Sequence, residues 1–215
     1  MSIDQADNVK KIGMFIEAYF TEIDMSNLKS QLLEDMKTNP NFDVRVRADS
    51  ISVEEVNQQI FISKERLAVG CRKFENEYNI TRSDLITTYK KLIFELKLDI
   101  QMISINFAIE SEMEAAAHTI VSSSLAKLLP DNLTEKNYTA GFNWMCEVNE
   151  KLIQLQIMAN EDDPKKLIIY PDLTFKPSAT DIETIEQVIQ RESDYLTDDL
   201  IVSVIKSISN VVIEG

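Results

Sequence analysis

Glu114, His118 and Ser122 stand four residues apart, and His118 is the single histidine of the 215-residue chain. A carboxylate, an imidazole and a hydroxyl perform acyl transfer when the acid orients the base and the base activates the hydroxyl. Helical spacing would stack these three side chains on successive turns. The helix expected over Met113 to Leu129 buries a face of Met113, Ala116, Ala117, Ile120, Val121, Leu125 and Leu128. At about 100° per residue, Glu114 falls on the shoulder of that face, His118 farther round and Ser122 close to the opposite side. The row therefore slants out of the core, away from any oxyanion pocket. No Gly-x-Ser-x-Gly elbow occurs in the chain. The row reads as a surface ladder of weak i,i+4 neighbours, worth a few tenths of a kcal/mol each.

Metal chemistry has a similarly thin basis. One histidine and two cysteines, Cys71 and Cys146, without a Cys-x-x-Cys spacing leave only oxygen ligands, which suit magnesium, calcium or manganese. Glu161, Asp162 and Asp163 cluster in an expected loop, and Asp198 and Asp199 form a second pair. Neither cluster has the glycine that a calcium loop needs at its sharp turn. Solvated loop acids and acids at a helix start account for both. Cys71 and Cys146 fall on the apolar phase of their strands, as small core residues do. No catalytic, cofactor-binding or metal-ligating residue is assigned, and no cofactor is expected.

Composition narrows the classes further. Hydrophobic residues make up 44% and charged residues 27%, enough apolar material for one domain with a full core. Thirty-six acids against 22 bases give a net charge of −14, which repels phosphate backbones, so nucleic acid is not an expected partner. The four glycines form no phosphate-cradling loop or dinucleotide fingerprint. No apolar run approaches the roughly 18 residues of a membrane span, and no basic-then-apolar leader opens the sequence, so a cytoplasmic protein without membrane contact is expected.

The elements that would position these residues follow from periodicity. Val9, Ile12, Ile16, Tyr19, Phe20 and Ile23 recur at helical spacing, as do Leu28, Leu32, Leu33 and Met36. They predict an N-terminal helical hairpin or arm over 1–40, ahead of an α+β domain over 41–215, the whole forming one compact unit. Beyond Pro40 the pattern alternates through Phe42, Val44, Val46, Ile51, Val53, Ile60, Ile62, Leu67, Val69 and Cys71, which predicts antiparallel strands with short polar turns. A helix capped by Thr81 or Ser83 carries Leu85, Ile86, Tyr89, Leu92, Ile93 and Leu96. Strands follow at Met102–Ile109, at Tyr138–Val148, and after a tight turn at Val148–Lys151. A short strand begins at Leu167 and Ile169, Pro171 either ends it or marks it as an edge, and helices with a break near Asp194–Asp199 close the chain. The fold class expected is α+β, a mainly antiparallel sheet of about six to eight strands packed with helices.

The segments IFISKERLAV, MISINFAI and LIIYPDLTF, with the helix after the last, resemble in their order a sporadically distributed group of bacterial proteins. The resemblance runs from Phe42 to the end. It implies a hairpin, a helix, a strand, a second hairpin and C-terminal helices, and brings no activity with it. A bacterial or phage source is expected.

Attention then falls on the strand faces opposite the core. Met102, Ser104 and Asn106, then Thr139, Asn143 and Met145, then Gln154, Gln156 and Met158 carry amides, hydroxyls and methionines where a wet face would carry lysines and glutamates. Such a face either lies under a second layer of the chain or meets a partner. With the aromatics Phe15, Tyr19 and Phe20 of the N-terminal segment, the candidate partner-binding residues are Met102, Asn106, Asn143, Met145, Gln154, Gln156 and Met158. The function expected is a non-catalytic protein-interaction protein (an adaptor, inhibitor or assembly subunit), with a protein partner, a homo-oligomer, or both. The alternatives are a chaperone-like holdase binding extended polypeptide on its sheet face, and a metal-dependent enzyme using acidic residues.

Overall fold

The computed structural model describes residues 9–26, 43–55, 58–74, 77–113, 141–160, 162–163 and 165–206. Nine strands, in mainly antiparallel pairing, are accompanied by a few helices. The α+β class is as expected, and the strand number exceeds the expected six to eight. The strands are β1 (Val9–Phe20), β2 (Asp43–Val46), β3 (Ser50–Glu55), β4 (Gln58–Ser63) and β5 (Arg66–Cys71), then β6 (Ile100–Glu112), β7 (Gly141–Val148), β8 (Lys151–Ala159) and β9 (Lys166–Phe175). The helices are α1 (Tyr78–Leu96), α2 (Ala179–Glu183) and α3 (Ile185–Asp194). A π-helical turn over Tyr195–Leu200 follows α3, and the chain is helical again through 206.

The N-terminal helical arm is overturned: β1 is a strand of 12 residues paired antiparallel with β5. Met14, Ile16, Ala18 and Phe20 are buried on one face, and Phe15, Glu17 and Tyr19 alternate with them on the other. Both faces of this strand are largely covered, so it reads as a near-continuous apolar run. Such a run satisfies helical spacing and strand alternation at once. The second predicted helix, over Leu28–Met36, lies outside the described residues, as do Glu114, His118 and Ser122.

The chain forms two compact units. One is built from Gly13–Asn106 and Thr174–Arg191. Its strands follow the order β2-β3-β4-β5-β1-β6. Registers such as Ile16↔Val69, Ile60↔Val69 and Ile51↔Ile62 align the apolar residues of successive strands on one face. Helix α1 lies against β5 on that face and buries Leu85, Ile86, Tyr89, Leu92 and Ile93. It begins at Tyr78, one turn earlier than either predicted cap, and ends on Lys97 in the left-handed conformation, with the Leu98 amide donating to the Ile93 carbonyl.

The other unit comprises Met1–Ile12, Phe107–Leu173 and Glu192–Gly215. Its strands follow the order β6-β9-β8-β7. A similar plan therefore occurs twice along the chain: one long strand, a meander of four strands in the first unit and three in the second whose last member returns beside it, then helix. The turn between β7 and β8 is the predicted one. Asn149 and Glu150 both have positive φ, 51° and 63°, as a two-residue hairpin loop matched to the strand twist requires. Strand β9 runs on through Pro171, which was expected to end it or to mark an edge, and β9 is flanked by β6 and β8. Leu167, Ile169, Pro171, Leu173 and Phe175 are buried in unbroken alternation, so burial outweighs the missing amide donor.

Glycine is required where β1 passes β5. A Cβ on Gly13 would meet the Arg72 carbonyl oxygen at 2.6 Å and that of Cys71 at 2.9 Å. Gly13→Ala is expected to cost about 1–3 kcal/mol through strand displacement. Gly141→Ala, whose Cβ would lie 3.1 Å from the Met158 side chain, should cost clearly less. Urea denaturation of the two variants measures the difference.

Candidate functional site

The face of the first unit opposite α1 holds a buried ionised centre. Strand alternation places Phe15, Glu17 and Tyr19 of β1 on this face. The register sets them beside Gly70, Ala68 and Arg66 of β5, and Phe61 of β4 beside Ala68. Glu17 is 7% exposed and accepts two hydrogen bonds from Arg66, 2.7 Å from Nη2 to Oε1 and 2.9 Å from Nε to Oε2. The Tyr19 hydroxyl donates to the same carboxylate at 2.8 Å and the Asn106 amide at 3.5 Å. A planar guanidinium matched to a carboxylate fixes direction as well as charge. The Arg66 guanidinium lies 6.0 Å from the Tyr19 ring centroid and 5.8 Å from that of Phe61. Its ionisation is pushed up from the ordinary arginine value, first by the hydrogen bond to Glu17.

Small residues make room for this centre. A Cβ on Gly70 would stand 2.2 Å from Cδ1 of Phe15, so the Phe15 ring lies over bare backbone. On the core side, the buried Tyr89 hydroxyl donates to the Glu17 carbonyl at 3.4 Å. Burial, and secondly the Glu17 charge, pushes the Tyr89 phenol above its ordinary value.

The predicted partner residues separate into two places. Phe15, Tyr19 and Asn106 surround the Glu17 centre, half-buried, and Met102 is exposed on β6. Phe20 points the other way, into the core with Met14, Ile16 and Ala18. Residues at helical spacing were expected to share a face, and the strand divides them. Neither Glu17 nor Arg66 was singled out from sequence. They are 49 positions apart and meet only through the β1–β5 register.

The remaining candidates lie on the β7–β8 hairpin of the second unit. The register pairs Asn143 with Gln156 and Met145 with Gln154, so the amide–methionine face is a real cross-strand set. The Gln154 amide donates to Asn143 Oδ1 at 3.1 Å, and the Gln156 amide approaches the Met158 sulfur at 3.3 Å. The other face pairs Trp144 with Leu155 and Cys146 with Ile153. Leu155 and Ile153 are buried there, but Trp144 is 49% and Val148 41% exposed. The expectation that Cys146 sits between core neighbours is corrected accordingly. Among the described residues β7 is the outermost strand of its unit, and its apolar phase runs past the edge of the covered core. Met145 is 59% exposed and Leu152, just past the turn, 42%.

Of the acidic clusters, Glu161 lies outside the described residues, and one member of each pair of described acids is engaged elsewhere. Asp163 lies 3.6 Å from Lys166 and accepts from the Lys165 amide at 3.1 Å, and Asp198 pairs with Lys11 at 2.7 Å. Among the described residues no group of three or more histidine, cysteine or acidic side chains converges. Cys71 is buried and its thiol donates to the Lys73 carbonyl at 2.8 Å. No described helix is long and apolar enough to cross a membrane. Compared with protein-family models and with curated proteins, the chain matches none.

Two outcomes are expected. Arg66→Met should cost about 2–3 kcal/mol, because it leaves the Glu17 carboxylate buried without its cation. Adding Glu17→Leu should recover most of that loss, as measured by urea denaturation of the double variant. For Tyr89, the raised value means that the neutral phenol is the native form. The stability it contributes is present below the ordinary tyrosine value of about 10 and lost as pH climbs above it. Tyr89→Phe should cost about 1 kcal/mol or less at neutral pH and flatten the alkaline limb of a stability-against-pH curve.

Proposed function

We propose that the chain is a non-catalytic protein-binding protein, an adaptor, inhibitor or assembly subunit, that presents the β7–β8 hairpin to its partner. The observation that carries this reading is the contrast between β2 and β7, the outermost strands among the described residues. On β2, the exposed Asp43 and Arg45 alternate with the apolar positions, and Arg45 lies 2.7 Å from Asp43 and 3.7 Å from Glu54. Charges of this kind keep a sheet edge from joining another. Strand β7 has no lysine, arginine or proline and a single acid, Glu147. It exposes Trp144 and Met145 on its two faces. Tryptophan anchors binding energy at interfaces, and methionine adapts its shape to what it meets. Two free thiols suit the reducing cytoplasm in which such a protein would work.

A holdase is the second reading, favoured by the amide–methionine set Asn143, Met145, Gln154, Gln156 and Met158 on one hairpin face. The two differ in selectivity. Affinity purification from the native host, with light scattering of the pure protein, is expected to return one stoichiometric partner. Trp144→Ser should lose that partner at least tenfold in yield while keeping the thermal midpoint within a few degrees. Retention of the partner by Trp144→Ser removes the hairpin from the interface. Suppression of aggregation of several unrelated clients at equal molar ratio would favour the holdase.

A further inference from the structure

We infer that the partner segment is an extended polypeptide, apolar along its length and basic at its N-terminal end, which adds to the sheet as a strand beside β7. This rests on the protein-binding reading above and names the chemistry of the partner. Three observations converge on it. First, β7 has a strand neighbour on one side only among the described residues, and Trp144 and Met145 stand exposed on opposite faces of it. An added strand would lay its alternate side chains against both, which neither a docked helix nor a flat surface would do.

Second, the charges of the hairpin have one sign left over. Its cation, Lys151, is held by the buried Glu192 at 2.5 Å. Glu147 and Glu150 are exposed and make no ion pair among the described residues. Both lie at the turn end of β7, and Val148 and Leu152 are exposed at the same end. A cation arriving there meets two free carboxylates beside apolar surface, where screening is weaker than in open water.

Third, antiparallel pairing prevails in the sheet, and the incoming strand is assigned the same polarity. The β7–β8 register is antiparallel, as are the four others resolved between neighbouring strands. An incoming antiparallel strand places its N-terminal residues beside Glu147, hence the basic end. A second copy of the chain fits less well. Paired through its own β7, it would bring a strand without lysine or arginine to Glu147, and each copy carries a net charge of −14.

The test uses the full chain and a fluorescein-labelled ten-residue peptide, two arginines followed by alternating valine and threonine. Anisotropy should show saturable binding that weakens steeply with salt. Replacing the arginines by glutamates should weaken binding by about tenfold or more, as expected of a reversed charge pair. In Glu147→Gln/Glu150→Gln, with fold checked by circular dichroism, that gap should close to about threefold or less, with the salt dependence flattened. Methylating alternate peptide nitrogens removes ladder donors and should abolish binding. Equal binding of basic and acidic peptides overturns the charge assignment, and undiminished binding of the methylated peptide overturns strand addition. Light scattering that shows a dimer dissolved by Trp144→Ser assigns the edge to a second copy and overturns the inference. If every peptide fails while Trp144→Ser still loses the native partner, this inference falls and the protein-binding reading stands. If Trp144→Ser keeps the partner, the hairpin is removed from the interface and this inference falls with it.

Discussion

A carboxylate held inside a sheet permits one register and penalises the rest. Glu17 sits opposite Ala68 and draws Arg66 diagonally across from the position opposite Tyr19. Sliding β1 by one residue would turn Glu17 toward α1 and its apolar stripe, and turn Ile16 and Ala18 outward. Ionised pairs of this kind add little net stability against an apolar replacement, while leaving either member alone is costly. The value of the pair here is selectivity. The strand on which it sits is apolar on both faces, and hydrophobicity alone would not tell one face from the other.

The surrounding residues make sense as provisions for that pair. Gly70 and Ala68 keep the neighbouring strand low, so that Phe15 can lie over it and Arg66 can reach Glu17 between two aromatic rings. The Tyr89 hydroxyl meets the Glu17 carbonyl from the α1 side, tying helix and strand at the same residue. The second unit follows an element order similar to that of the first without repeating this centre. Its ion pairs Lys166–Glu110 and Lys151–Glu192 each join different elements, and its outer strand is left apolar. Similar frameworks thus differ among the described residues, one closed around a charge and one with an apolar outermost strand.

Legibility from sequence followed the number of faces each element buries. Strands β3 to β5 were legible through their alternation, and Ile51, Val53, Ile62, Leu67, Val69 and Cys71 are buried as that pattern implied. Helix α1 was visible for the same reason, with Leu85, Ile86, Tyr89, Leu92 and Ile93 as its buried stripe. Strand β1 failed because both its faces are covered, and β9 was cut short because proline was weighed above an alternation that continues past it. Asn149 announced its turn through its tolerance of positive φ. The Glu17–Arg66 pair was invisible because register is a property of two strands together. The exposure of Trp144 and Val148 was missed for a related reason: alternation says which face a residue takes, and the limit of the layer covering that face is set elsewhere.

The π-helical turn at Tyr195–Leu200 bears on how this chain tolerates change in length. The Ile201 amide reaches back five residues to the Leu196 carbonyl, and Leu196, Ile201 and Ile205 are all buried. An ordinary helix would bring position 200 to the buried side after Leu196, and here it is Ile201 that arrives there. The turn therefore absorbs one surplus residue and restores the phase of the helix beyond it. Such a turn is the mark that a single-residue insertion leaves when the residues on either side are already committed to the core. Losing one residue from this stretch would regularise the backbone and keep the same side chains inward, so the segment can shed a residue where neighbouring turns cannot.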